Sequence, residues 1–201
     1  MARAQGAAIM RRRAIIVAAL AAGLAMTSLA LPMRRPLVWN VTHSVPTGLY
    51  WIGDKDALAV GDRVAIEPPA PVRRLLAERG YLPIGVPLLK RVAAVFGQRV
   101  CRFRHGITID GQLVALALAS DRLGRPLPAW SGCHLLGPGE VFTLNPGEPA
   151  SFDGRYFGPL PVSAVTGRAI PVWTDERGDS RREWFADARA PLPPPPTKEN
   201  E

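Results

Sequence analysis

The chain holds 201 residues and writes its positive charge almost entirely as arginine, with only three lysines, Lys55, Lys90 and Lys198. Lys198 sits in a polar C-terminal run and Lys55 in the loop-like "GDKD". Lys90 is different. It lies inside "GVPLLKRVAAVF", a strongly apolar stretch that predicts a buried strand. A guanidinium keeps its proton in a protein, whereas a desolvated ammonium loses pKa units and becomes a base. The alternative is a side chain that runs its apolar stem along a strand edge and keeps its ammonium in water. A neutral lysine can activate a serine for acyl transfer. Ser44, in "HSVPTGLYW", is the candidate, because Pro46 and Gly48 fix the chain around it. Its backbone N–H is one candidate oxyanion donor. The hydroxyl of Thr42, two residues back on the same side of an extended chain, is another.

Histidine offers less. His43 cannot readily serve its own neighbour, since adjacent residues of an extended chain diverge, and it reads as a bystander. A Ser-His-Asp triad would need His105 or His134. Those two could instead join Cys101 and Cys133 around a metal. Cys133 and His134 are adjacent, however, and on a strand point to opposite faces, so no metal is expected. A disulfide between Cys101 and Cys133 is the preferred reading if the domain is exported, with two buried thiols as the other.

The elements that must position these residues read as mainly β. Gly 19 and Pro 21 against 7% aromatic residues predict many turns and few long helices. Short strands are expected at "GLYWI", "RVAIE", "VPLLKRVAAVF", "QRVCRFR", "GITID", "GQLVALAL", "CHLL", "EVFTLN", "YFGPLPV" and "GRAIPVW", with Asp110-Gly111 as a tight hairpin. "PPAPVRRLLAERGYL" is the best helix candidate, opening on prolines and stopping at Gly80. Formal net charge is +8, but the arginines are scattered, which disfavours nucleic acid as a partner.

Residues 14–32 carry no charge. Nineteen residues at about 1.5 Å each give roughly 28 Å of helix, close to the hydrocarbon thickness. Arg3 and Arg11–Arg13 precede the segment, and Arg34 and Arg35 follow it. That bias predicts a cytoplasmic 1–13, a transmembrane anchor at 14–32, and a catalytic domain at 37–174 outside an inner membrane. A cleaved signal sequence, giving a soluble periplasmic protein, is the alternative. Residues 175–201 read as a charged, Pro-rich disordered tail.

The order of "SVPTGLYW", "GDRVAIEPP", "PLLKRVAAVFG" and "GEVFTLNPGEPASFDGRYFGPLPVSAVTGRAIPVW" resembles the type I signal peptidases, and within them the TraF-type pilin-maturation branch of conjugative transfer. The resemblance implies a coiled β-sheet domain with a smaller β extension and no cofactor. It implies Ser44 as nucleophile, Lys90 as general base, Thr42 at the oxyanion hole and Ser151 bonded to the lysine. Asp153 and Arg155 match a pair that shapes the site, through catalysis or as a structural salt bridge. The implied function is a serine endopeptidase that processes an exported precursor, most simply a conjugative pilin, by hydrolysis or cyclisation. Type IV secretion components are the implied neighbours. A general signal peptidase for secreted preproteins and a non-catalytic component of a transfer channel are the alternatives. Val45 in place of the usual methionine, and "NPGEPASFDGR" in place of a Gly-Asp-Asn-Arg start, lean towards the transfer branch.

Overall fold

The computed structural model describes residues 12–13, 15–20, 22–23 and 37–189. The chain divides into two units, Met1–Arg35 and Pro36–Glu201. In the first, the described residues are helical and exposed. Among the described residues no helix is long and apolar enough to cross a membrane. Positions 14, 21 and 24–32 of the expected anchor lie outside them.

The second unit is mainly β and built from two antiparallel sheets. The larger one contains β1 (Leu37–Asn40), β2 (Thr47–Gly53), β3 (Arg63–Ile66), β4 (Leu88–Ala94), β9 (Glu140–Thr143), β10 (Leu160–Pro161), β11 (Val165–Asp175) and β12 (Glu183–Trp184). Its order is β1-β2-β11-β3-β4-β9-β10, with β12 also paired to β11. The smaller sheet, β7-β6-β5-β8, uses β5 (Arg99–Phe103), β6 (Gly106–Ile109), β7 (Gln112–Leu116) and β8 (Gly132–Leu135).

β4 is the central positioning element. Its odd and even residues serve two different cores. Leu88 and Val92 join Val64, Ile66, Leu76, Phe152 and Tyr156 on one face. Leu89 joins Val45, Tyr50, Ala65 and Ala169 on the other. Burial on both faces explains why β4 reads as a continuous apolar run rather than an alternation. Helix α1 (Ala70–Glu78) closes the first core with Leu76. Pro69 at its N-cap and Pro71 in its first turn pre-set φ, and Gly80 at φ 70 ends it. Burying a leucine fully contributes about 1.5–3 kcal/mol, and with Val72 and Leu75 packed beside it Leu76 anchors a helix that is too short to stand alone.

The Asp110-Gly111 hairpin forms as the sequence predicts, with φ 50 and 84 at the two residues, both left-handed. Cys101 and Cys133 face each other across the β5–β8 pair and are joined by a disulfide.

Two expectations change. "YFGPLPV" does not begin as a strand: Gly154–Phe157 forms a short helical turn, α2. The Asp153 carboxylate accepts the Arg155 N–H and caps it, a local bond that competes with extension. The folded domain also runs on past 174. Glu183 and Trp184 pair with Thr174 and Trp173, and Asp62 pairs with Arg189. The charges that suggested disorder find specific partners. Glu176 receives two hydrogen bonds from buried Arg63, at 2.8 and 2.5 Å. Arg182 lies 5.0 and 5.4 Å from the Trp173 and Trp39 rings. Residues 190–201 of the expected tail lie outside the described residues.

Candidate active site

Ser44 stands on the turn between β1 and β2, half-buried. Two side chains hold that turn. Asn40, at the end of β1 and itself buried, accepts the Thr42 N–H (3.1 Å) and hydroxyl (2.8 Å) at Oδ1. Its Nδ2 donates to the carbonyls of Thr42, Val45 and Pro46 at 2.8–3.1 Å. The Tyr50 hydroxyl donates to Pro46 O at 2.7 Å. Val45, 2% exposed, packs into the core on the Leu89 face. With Val45 anchored there, Ser44 beside it lines the neighbouring cavity. Burial pushes the Tyr50 phenol well above its usual range, so it remains a donor at any working pH.

Lys90 occupies the middle of β4, opposite Val64 of β3. It is 3% exposed, and its Nζ donates to Ser151 Oγ at 3.0 Å. Burial lowers its pKa from 10.5 to about 8. Asp153 and Glu148 pull it back up and Arg155 pushes it further down, all by less than burial does. The amine is therefore available near neutral pH in a way that an arginine could not match.

Ser151 lies on the segment that returns from β9. Its Oγ is also 3.5 Å from Asn145 Nδ2, and its N–H donates to Glu148 O. The segment is held by the buried pair Asp153 and Arg155, 2.9 Å apart. Arg155 donates to the carbonyls of Asn145 (3.0 Å), Glu148 (2.7 Å) and Pro149 (3.2 Å). Asp153 also accepts the Asn145 N–H at 3.0 Å. Gly154 makes this packing feasible, because a Cβ there would meet the Phe142 ring at 2.5 Å and Thr143 O at 2.6 Å. Asn145 Oδ1 accepts the Arg91 N–H, which ties the segment to β4 beside Lys90.

Thr42, Ser44, Lys90 and Ser151 all line one cavity of about 360 Å³. Asp153 and Arg155 stand behind it as support. Ser44 Oγ is 3.2 Å from Thr42 Oγ1, while Lys90 Nζ is bonded to Ser151, and among the described residues no hydrogen bond joins Ser44 to Lys90. The single Thr42 hydroxyl proton is directed at Asn40 in this resting arrangement.

The histidines take other places. His43 lines the cavity rim, exposed. His105 Nδ1 lies 3.0 Å from Ala117 O, and His134 Nε2 lies 2.8 Å from Glu140. Among the described residues no cluster of three or more His, Cys, Asp or Glu could hold a metal ion.

The family described as "Signal peptidase, peptidase S26" matches residues 9–174. The chain belongs to the signal peptidase family. Within it, the relatives are TraF proteins. A plasmid transfer protein TraF of Escherichia coli is 33% identical over 144 residues, covering 67% of this chain and 81% of that protein. A probable conjugal transfer protein TraF of Sinorhizobium fredii is 40% identical over 146 residues, covering 67% and 76%. A conjugal transfer protein TraF of Agrobacterium tumefaciens is 39% identical over 147 residues, covering 67% and 81%. A solved signal peptidase I from Enterococcus faecalis is 20% identical, with a TM-score of 0.33 over 58% of this chain and 98% of that one. This signal peptidase is thus of the TraF type, and a serine peptidase by family.

Sequence reasoning missed Asn40 in this TraF-type peptidase. An Asx residue two positions before a hydroxyl residue, at a strand end, is the signal that would have found it.

Proposed function

We propose that this signal peptidase cleaves an exported precursor by a Ser-Lys acyl-enzyme mechanism, with Ser44 as nucleophile and Lys90 as general base. The observation that carries the proposal is a buried lysine with its pKa lowered to about 8, bonded to Ser151 and facing the same cavity as Ser44. Neutral Lys90 takes the Ser44 proton as Ser44 Oγ attacks the substrate carbonyl. This requires Ser44 to leave Thr42 and turn towards Lys90 when substrate enters, a rotamer change of the kind that completes catalytic contacts. The Ser44 N–H and the Thr42 hydroxyl, released from Asn40, stabilise the oxyanion. Protonated Lys90 then delivers its proton to the leaving amine. Water, or an amine of the same polypeptide, resolves the acyl-enzyme. Ser151 keeps the Lys90 amine oriented throughout.

The proposed substrate is a conjugative pilin precursor, in keeping with relatives named as plasmid and conjugal transfer proteins, and the proposed setting is an inner membrane, with residues 14–32 as the anchor and the catalytic unit on the periplasmic side. Coexpression with the pilin precursor of the same transfer system, followed by mass spectrometry, tests this. The wild-type protein should yield a shortened product, linear or lighter by one water if circular. Ser44→Ala, Lys90→Ala and Lys90→Arg should each leave the precursor intact. An active Lys90→Arg protein would sink the mechanism, since arginine cannot act as the base.

A further inference from the structure

A second cavity, of about 350 Å³, adjoins the first and shares Tyr81, Arg122, Ala150 and Phe152 with it. Its lining carries three guanidinium groups, Arg79, Arg122 and Arg125, against one carboxylate, Asp121. That carboxylate is already occupied. Asp121 accepts from Arg125 Nε (2.7 Å), the Arg125 and Leu123 N–H groups (2.9 Å each) and the Tyr81 hydroxyl. Arg125 is thereby paired, and its guanidinium also lies 5.4 Å from the Tyr81 ring.

Arg79 and Arg122 are left over. Arg79 Nη1 is buried without a hydrogen-bond partner. Arg122 is exposed at the junction of the two cavities, and its guanidinium has no hydrogen bond, ion pair or ring contact among the described residues. Buried polar nitrogens nearly always have partners, and this enclosed nitrogen, on a half-buried residue that lines the cavity, lacks one. The planar fork of arginine matches a carboxylate best. The rest of the lining, including Leu118, Leu127 and Phe152, is apolar and suits the stem of a side chain.

We infer that this cavity is a specificity subsite for an acidic side chain of the substrate polypeptide, Asp or Glu, lying some residues from the cleaved bond and held by Arg79 and Arg122. The inference rests on the peptidase reading, because the subsite shares four lining residues with the cavity that holds Ser44 and Lys90. Its role is to place the substrate's register before chemistry, using binding away from the reacting carbonyl.

Synthetic peptides spanning the precursor's processing site, with Glu or its neutral isostere Gln placed at each position in turn, provide the test. Binding to the full-length Ser44→Ala protein is read by fluorescence anisotropy, so the result does not depend on turnover. One position should favour Glu over Gln by about tenfold in Kd, the size of a charge-assisted hydrogen bond. Arg79→Gln and Arg122→Gln, each built into Ser44→Ala, should erase that preference, weakening the Glu peptide by more than the Gln peptide. Absence of a preferred position, or an equal loss of Glu and Gln peptides in both variants, would overturn the subsite. Failure of the wild-type protein to cleave any peptide would instead count against the peptidase reading.

Discussion

Lys90→Met separates what the buried amine does for chemistry from what it does to the fold. Methionine keeps an unbranched apolar stem and removes the charge. The shift of Lys90 from 10.5 to about 8 is about 2.5 units. At 1.36 kcal/mol per unit, a protonated Lys90 costs the folded state about 3 kcal/mol. The sign follows from proton counts. Between pH 8 and 10.5 the unfolded chain binds this proton and the folded chain does not, so stability rises with pH. The penalty is full below about pH 8 and absent above about pH 10.5. Against it stands the Ser151 hydrogen bond lost in the variant, worth about 1 kcal/mol net. Lys90→Met should therefore be more stable than wild type by roughly 2 kcal/mol at pH 6.5. The gap should shrink, then reverse, as pH approaches 10.5. Guanidinium melts of both full-length chains at matched detergent, followed by tryptophan fluorescence at pH 6.5, 8 and 10, read this directly. The variant should also be inactive. A variant that is less stable at pH 6.5, or a gap that ignores pH, would refute burial as the cause of the low pKa.

The same shift fixes the pH profile: kcat/KM should rise about tenfold from pH 7 to pH 9 with a midpoint near the Lys90 value of about 8, and a flat profile would remove Lys90 as the base. Asn40→Ala frees the turn that carries Thr42 and Ser44. It should lower kcat by roughly ten- to a hundredfold with little change in KM, as measured on a precursor peptide. Arg155→Met leaves Asp153, 0% exposed, without its partner, and should cost about 3–5 kcal/mol in a denaturant melt. Cys101→Ser with Cys133→Ser opens a loop spanning 32 positions and should cost about 3–4 kcal/mol in the chain-entropy estimate, with loss of the wild-type sensitivity to reductant.

How legible the site was depends on which physical signal each residue carried. Lys90 could be read because an arginine-rich chain placed a lysine in an apolar strand, and β4 is buried on both faces as that run required. The turn that carries Ser44 and Thr42 could be read from Pro46 and Gly48. Asn40 could not, because its role lies in five bonds to a turn whose geometry a propensity does not specify. Helix α2 was misread for a related reason. "YFGPLPV" has strand composition, and the Asp153 cap that bends it acts through a single local bond. The stretch from 175 to 189 was misread because charge density signals solvation only when partners are absent. Arg63, Asp62 and Trp39 supply those partners from far away in sequence, and Trp173 supplies one from the adjoining β11. Arg79 and Arg122 were invisible for the opposite reason, since what marks them is the absence of a partner in three dimensions.

The buried pair Asp153–Arg155 bears on how the base is tuned. Its two members act on Lys90 in opposite directions, Asp153 raising its pKa and Arg155 lowering it, each by less than burial does. Desolvation is the largest influence, and it comes from the apolar residues that β4 and its neighbours place around Lys90. The pair's own bonds run to Asn145, Glu148 and Pro149, the backbone that presents Ser151. Through these bonds its contribution is positional: they hold the segment whose Ser151 hydroxyl receives the Lys90 amine. Basicity is written in the hydrophobic pattern of "PLLKRVAAV" itself. The residues that make β4 a strand are the same ones that lower the pKa of its lysine.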